Sequence, residues 1–150
     1  MKNIKTLNKV LKHLDSEYED DVLDIEIQKE NEKTLVNIGF PKDSLIYTLY
    51  KTYDIDCFYF DSEENEGFLF ASLALIDDLK DIVENVHNEW GVPKEYIPIS
   101  DGEAGYYTFY HLDNHKVFFC DIQLSENIPK NSEKTWDSFE DFLTEYLDIS

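Results

Sequence analysis

The sequence predicts an α+β fold in which helices flank an antiparallel or mixed β-sheet. Segments of helical period lie toward both ends of the chain, and aromatic, strand-like segments separated by polar turns lie between them. The 42% hydrophobic and 15% aromatic content then supplies a core for helices packed on hairpin-connected strands. A chain of 150 residues matches one domain, 1–150. At that size a domain buries roughly 70% of its unfolded surface. With only five Gly and four Pro, no stretch has the composition of a linker, and no repeat at a solenoid period is present.

Ile4, Leu7, Val10, Leu11 and Leu14 recur at helical spacing, with Lys2, Lys5, Lys9 and Lys12 elsewhere on the same surface. An acidic stretch, Asp15 to Asp21, closes that helix, and Val22, Leu23, Ile25 and Ile27 suggest a short strand. Gly39-Phe40-Pro41 is a break, with Pro41 suited to the first turn of a helix that turns Leu45, Ile46, Leu49, Tyr50 and Tyr53 inward. Cys57 to Phe60 and Phe68 to Ala71 read as paired strands around an acidic turn, Asp61 to Gly67. From Asp77, Leu79, Ile82, Val83 and Val86 mark a helix that Gly91 and Pro93 stop. Tyr96 to Ile99 is a strand that Pro98 confines to an edge or a strand end. Tyr106 to Leu112 and Lys116 to Gln123 flank the polar turn Asp113-Asn114-His115, a hairpin. A helix from Ser138 to Leu147 closes the chain, with Phe139, Phe142, Leu143 and Tyr146 inward and Asp137 or Ser138 as its N-cap.

Charge sets the class of partner. Thirty-three acids against thirteen bases give a formal net charge of −20. Such a field repels nucleic-acid phosphates and anionic membranes and attracts cationic proteins, although acidity also serves solubility. The segment MKNIKTLNKVLKHL lacks the apolar core of a signal peptide, and no apolar run reaches the ~20 residues that span a bilayer. A cytoplasmic protein is expected, monomeric or weakly dimeric, with Cys57 and Cys120 as reduced, buried thiols.

Motifs for chemistry are missing. His111 and His115 are four apart but separated by the hairpin turn, while His13 and His87 stand alone in helices, so no metal site is expected. Asp54, Asp56, Asp61 and Glu63 straddle a predicted strand and lack the spacing and central Gly of a calcium loop. No Gly-x-Ser-x-Gly elbow, thiol-enzyme context or glycine-rich phosphate loop appears, and among so many acids no carboxylate pair stands out. Neither catalysis nor a cofactor is expected.

The stretch from Trp90 to Asp113 joins an Ile-Pro-Ile strand (Ile97 to Ile99), a polar loop with Asp101, Gly102 and Gly105, and an aromatic strand ending in Leu112-Asp113. Val117 to Asp121 gives V-x-x-x-D, and Ser138-Phe139-Glu140-Asp141-Phe142-Leu143 opens the last helix. In order and spacing these resemble the SUKH superfamily, which includes fungal cell-wall assembly regulators and bacterial toxin-immunity proteins. Upstream, Glu32 and Ile38-Gly39-Phe40-Pro41 are similar to the family's Gly and Leu-Pro step, with Phe40 in place of Leu and no glycine-rich segment after the following helix. The resemblance covers about two-thirds of the chain and implies a SUKH-like domain. It also implies an immunity-type protein that neutralises a cognate, basic, nuclease-like toxin. A regulatory interaction module without a toxin, or a small-ligand binder or enzyme on the concave side of the sheet, are the alternatives. Two exposed clusters are candidates for partner binding: Asp61, Glu63, Glu64 and Glu66 on one loop, and Asp101 and Glu103 with Tyr106 or Tyr107 beside them on another.

Overall fold

A computed structural model of the chain describes residues 4–58, 73–100 and 102–149, with backbone alone for Cys57, Phe58 and Glu103. Helices α1 (Ile4–Glu17), α2 (Ile25–Ile38), α3 (Leu45–Thr52) and α4 (Ile76–Trp90) precede strands β1 (Tyr96–Pro98), β2 (Tyr106–His111) and β3 (Val117–Asp121). A short helix α5 (Ile128–Asn131), strand β4 (Lys134–Trp136) and helix α6 (Phe139–Tyr146) complete the order. The strands form one sheet, β1-β2-β3-β4, with every neighbouring pair antiparallel. The fold is therefore α+β, and the sheet is the antiparallel one of the two predicted kinds.

The hairpin is symmetric about Asp113 and Asn114: Tyr106 pairs with Asp121 and Tyr110 with Val117. His111 fixes the turn, its Nδ1 accepting from the backbone N–H of Asp113 (3.2 Å) and of Asn114 (3.3 Å). Each strand ends slightly short of its predicted bounds, because Leu112 enters the turn and Gln123 already belongs to a 3-10 turn, Ile122–Asn127. Pro98 lies in the edge strand, where its missing N–H interrupts no ladder.

Both faces of the sheet are buried, so the aromatic strands need not alternate with polar residues. Tyr110, Val117, Phe119, Trp136 and the inner residues of α1, α3 and α6 make one core. Phe109, Phe118 and Cys120 face the other way, against Val86, Val92, Ile122 and Ile128. Ser138 caps α6, its hydroxyl accepting from the Asp141 N–H at 3.1 Å. Phe142 is fully buried, edge-on to Trp136 at 5.0 Å and beside Phe139 at 5.7 Å. The Cys120 thiol is free and buried, and burial pushes its pKa up.

Several expectations need correction. Val22 makes one isolated bridge with Tyr53, and Ile25 and Ile27 belong to α2, not to a strand. Asp24 caps that helix by accepting from the Ile27 N–H at 3.1 Å, and Gly39 ends it at φ +106°, a left-handed conformation suited to Gly. Pro41 stands before α3 instead of in its first turn; its carbonyl accepts from Ser44, which is the actual cap. Cys57 and Phe58 lie in a 3-10 turn, Ile55–Phe58, and not in a strand. The remainder of that proposed hairpin, residues 59–71, falls outside the described residues. Ile4 is exposed, whereas Val10 and Leu14 are buried as their spacing requires. Strand β4 was not anticipated.

Candidate protein-binding surface

Successive strand residues point to opposite faces. Tyr106 and Tyr107, at the start of β2, therefore part company, and each packs against a different core. Tyr106 stacks on Phe119, with ring centres 5.2 Å apart and planes 13° from parallel. Its hydroxyl donates to Glu133 Oε1 at 2.8 Å, and this hydrogen bond, with the neighbouring negative charges, raises the phenol pKa. Glu133 is placed by its own N–H, which donates to the Phe119 carbonyl at 2.9 Å just before β4.

Tyr107 lies across Gly102 on the other face. A Cβ at position 102 would come within 2.4 Å of the Tyr107 ring, and Gly102 also has φ +77°. Only glycine satisfies both conditions. Left-handed residues at Ala104 (φ 56°) and Gly105 (φ 82°) complete the reversal into β2.

At the open end of the hairpin Tyr106, Asp121 and Glu133 thus lie together, and Tyr107 is turned to the other face. Asp121, Glu126 and Glu133 are the charges that, after burial, act on Cys120 to raise its pKa. Asp121 begins the following 3-10 turn, its Oδ1 accepting from the Gln123 N–H at 2.9 Å. This surface offers carboxylates next to half-buried aromatic rings, which suits recognition of cationic, partly apolar groups. Of the anticipated site residues, Asp61, Glu63, Glu64, Glu66 and Asp101 lie outside the described residues, and Glu103 is placed by its backbone only. Asp121, Glu126 and Glu133 were missed. Hairpin symmetry about Asp113–Asn114 already pairs Asp121 with Tyr106, but nothing local brings Glu133 across 27 residues to the same phenol.

Elsewhere, a groove of about 480 Å³ between α2 and α4 is lined by groups of both signs, including Lys80, Glu84 and Lys94. Its His87 Nε2 is 2.7 Å from the Tyr96 carbonyl oxygen. Among the described residues, no group of three or more His, Cys, Asp or Glu is placed to hold a metal ion. Among them, too, no helix is long and apolar enough to cross a membrane.

A comparison with curated proteins finds no match. A family model does match: that of the SMI1 / KNR4 family (SUKH-1), over residues 15–145. That span runs from the last turn of α1 to the last turn of α6 and takes in the entire sheet, so this chain belongs to the SMI1 / KNR4 (SUKH-1) family.

Proposed function

We propose that this chain is an immunity-type protein of the cytoplasm that binds and neutralises a basic, nuclease-like protein toxin. Family membership supports a role in protein–protein interaction. The observation that carries the finer reading is the net charge of −20 on 150 residues. A nuclease groove is basic because it must hold phosphates, and an acidic surface of matching shape enters it with complementary potential. Surface carboxylates steer the encounter, while Tyr106 or Tyr107 supplies aromatic area at the contact. The protein acts by occlusion and needs neither a cofactor nor a catalytic residue.

Co-expression with candidate basic toxins, beginning with the products of neighbouring genes, tests the reading. Wild-type protein should protect the cell. Charge reversal at Asp121 and Glu133, at Asp101 and Glu103, or at Asp61, Glu63, Glu64 and Glu66 should identify the contact by loss of protection. A reversal away from the contact should slow association without abolishing protection. A regulatory module would give no protection and would retain its partners in cells lacking any toxin.

A further inference from the structure

Among the helices, the chain entering α2 meets the end of α3 and the start of α4. Two backbone hydrogen bonds join the first two, from the Leu23 N–H to the Thr52 carbonyl at 2.8 Å and from the Asp54 N–H to the Asp21 carbonyl at 3.0 Å. The Asn31 amide ties α2 to α3 by donating to the Tyr50 carbonyl at 3.2 Å. The Tyr50 hydroxyl in turn donates to the Ala74 carbonyl at 2.8 Å, just before α4. Between these elements lies a groove of about 330 Å³. That is the lower end of the roughly 300–1,000 Å³ of sites that enclose small groups, and room for a large side chain.

The groove is largely apolar and aromatic. Tyr50, Tyr53 and Ile55 line it and are buried. Ile27 and Leu75 line it too, yet they are 44% and 43% exposed. Val22, bridged to Tyr53, is 47% exposed. Of the eight large hydrophobic side chains exposed among the described residues, three thus gather around one concave site. Apolar residues exposed singly need no explanation, whereas a cluster of them marks a contact surface. Leu75 adds an independent sign. It occupies the N-cap of α4, where Ser, Thr, Asp or Asn would accept a backbone N–H, and its side chain caps nothing. Neither capping nor burial accounts for an exposed leucine there; a partner that covers it does.

Charge selects the partner. Asp54, Asp56 and Asp77 also line the groove and are exposed, and among the described residues no lysine, arginine or histidine lines it. An apolar centre with a polar border is the anatomy of a protein contact. We propose that this groove receives an apolar side chain of a basic protein partner, flanked there by lysines or arginines that meet the three aspartates. The proposal rests on the reading of the chain as a binder of basic proteins, and adds an anchoring surface on its helical elements. The inserted side chain supplies short-range affinity, and the aspartates favour cationic neighbours over anionic ones.

Nuclear magnetic resonance titration of the full chain with the peptide acetyl-Lys-Lys-Phe-Lys-Lys-amide tests it. The controls are acetyl-Lys-Lys-Ser-Lys-Lys-amide, of equal charge, and acetyl-Glu-Glu-Phe-Glu-Glu-amide, of opposite charge. The first peptide should give saturable shifts centred on the amides of 23, 27, 54–56 and 75–77, and each control should bind there roughly tenfold more weakly or worse. Leu75→Ser should weaken the first peptide by a similar factor. Because serine can cap α4, that variant should melt no lower than wild type, a combination that a merely structural leucine would not give. Ile27→Ser should weaken binding likewise, and decides the matter should Leu75→Ser unfold. Equal binding of the serine peptide, or shifts scattered over the acidic surface and indifferent to both variants, would overturn the proposal. Toxin co-expression separates the groove from the function. Protection that Leu75→Ser and Ile27→Ser leave intact removes the groove from the contact and keeps the function; a groove that takes the basic peptide on a chain that protects against no toxin does the reverse.

Discussion

The two ends of the β2–β3 hairpin hold their polar groups in different surroundings. At the open end, Glu133 accepts from Tyr106 and Asp121 from the Gln123 N–H, and Glu133 and Glu126 are exposed. Charges of this kind cost little to hold and act through their field, which reaches only about 8 Å at physiological salt. At the turn end, Tyr110 is buried and its hydroxyl shares a hydrogen bond with His115 Nδ1, with the largely buried Glu140 close by. The contrast separates two uses of polar groups: those of the open end face solvent and are free to act on a partner, whereas the Tyr110–His115 pair is committed to the fold.

The largest expected effect asks whether both ends depend on one core. Phe142 lies between Trp136, Phe139 and Tyr146 and is fully buried. Phe142→Ala should cost about 3–5 kcal/mol in denaturant unfolding. An unchanged midpoint would mean that α6 is dispensable and that the turn end is no part of a common core. Next, Gly102→Ala should cost roughly 2–3 kcal/mol through its left-handed backbone and the displaced Tyr107 ring. Its spectral changes should be confined to the open end, leaving the amides of 113–115 in place. Changes at both ends would show the two regions to be coupled.

A smaller effect is expected at the turn itself. Tyr110→Phe removes the hydroxyl that meets His115 and should cost about 1 kcal/mol. Acid provides the mildest probe. Burial raises the pKa of Glu145, but hydrogen bonds from Lys134 and the Trp136 indole outweigh it and hold the carboxyl below its ordinary value. A depressed folded pKa stabilises above the unfolded carboxylate range, and that contribution is lost as pH falls through the folded value. The stability gap between wild type and Glu145→Gln should therefore close on acidification. A gap that persists at the lowest pH would contradict the assignment.

Much of the C-terminal half was legible because its signals are local. Asp113 and Asn114 announce the turn, the aromatic runs on either side supply strands, and Ser138 with Phe139, Phe142 and Leu143 spells out a capped amphipathic helix. Helix α2 was hidden for a physical reason. Its inward residues include Asn31, whose buried amide donates to the Tyr50 carbonyl at 3.2 Å, so the apolar period is broken at one of the two buried positions of the helix. Meanwhile Val22, Leu23, Ile25 and Ile27 imitate a strand, and the capping Asp24 is one acid among many. Strand β4 was missed because its three residues include exposed Thr135 and half-buried Lys134, and it exists through pairing with β3.

The binding surface was only partly readable. Tyr106 and Tyr107 stood out as aromatic residues after a polar loop, but strand alternation sends them to opposite faces. Glu133 reaches Tyr106 only through the β3–β4 pairing. The burial of Glu140 gave no signal either, since a glutamate in the first turn of a helix ordinarily complements the helix dipole in water.

The central claim, that this acidic chain neutralises a basic toxin, is tested most directly by survival of cells in which each candidate toxin from a neighbouring gene is induced with and without it. The account predicts that wild-type protein restores growth and that reversing the contact acids removes the protection while the variant remains folded. No protection by the wild-type chain against any neighbouring toxin would contradict it.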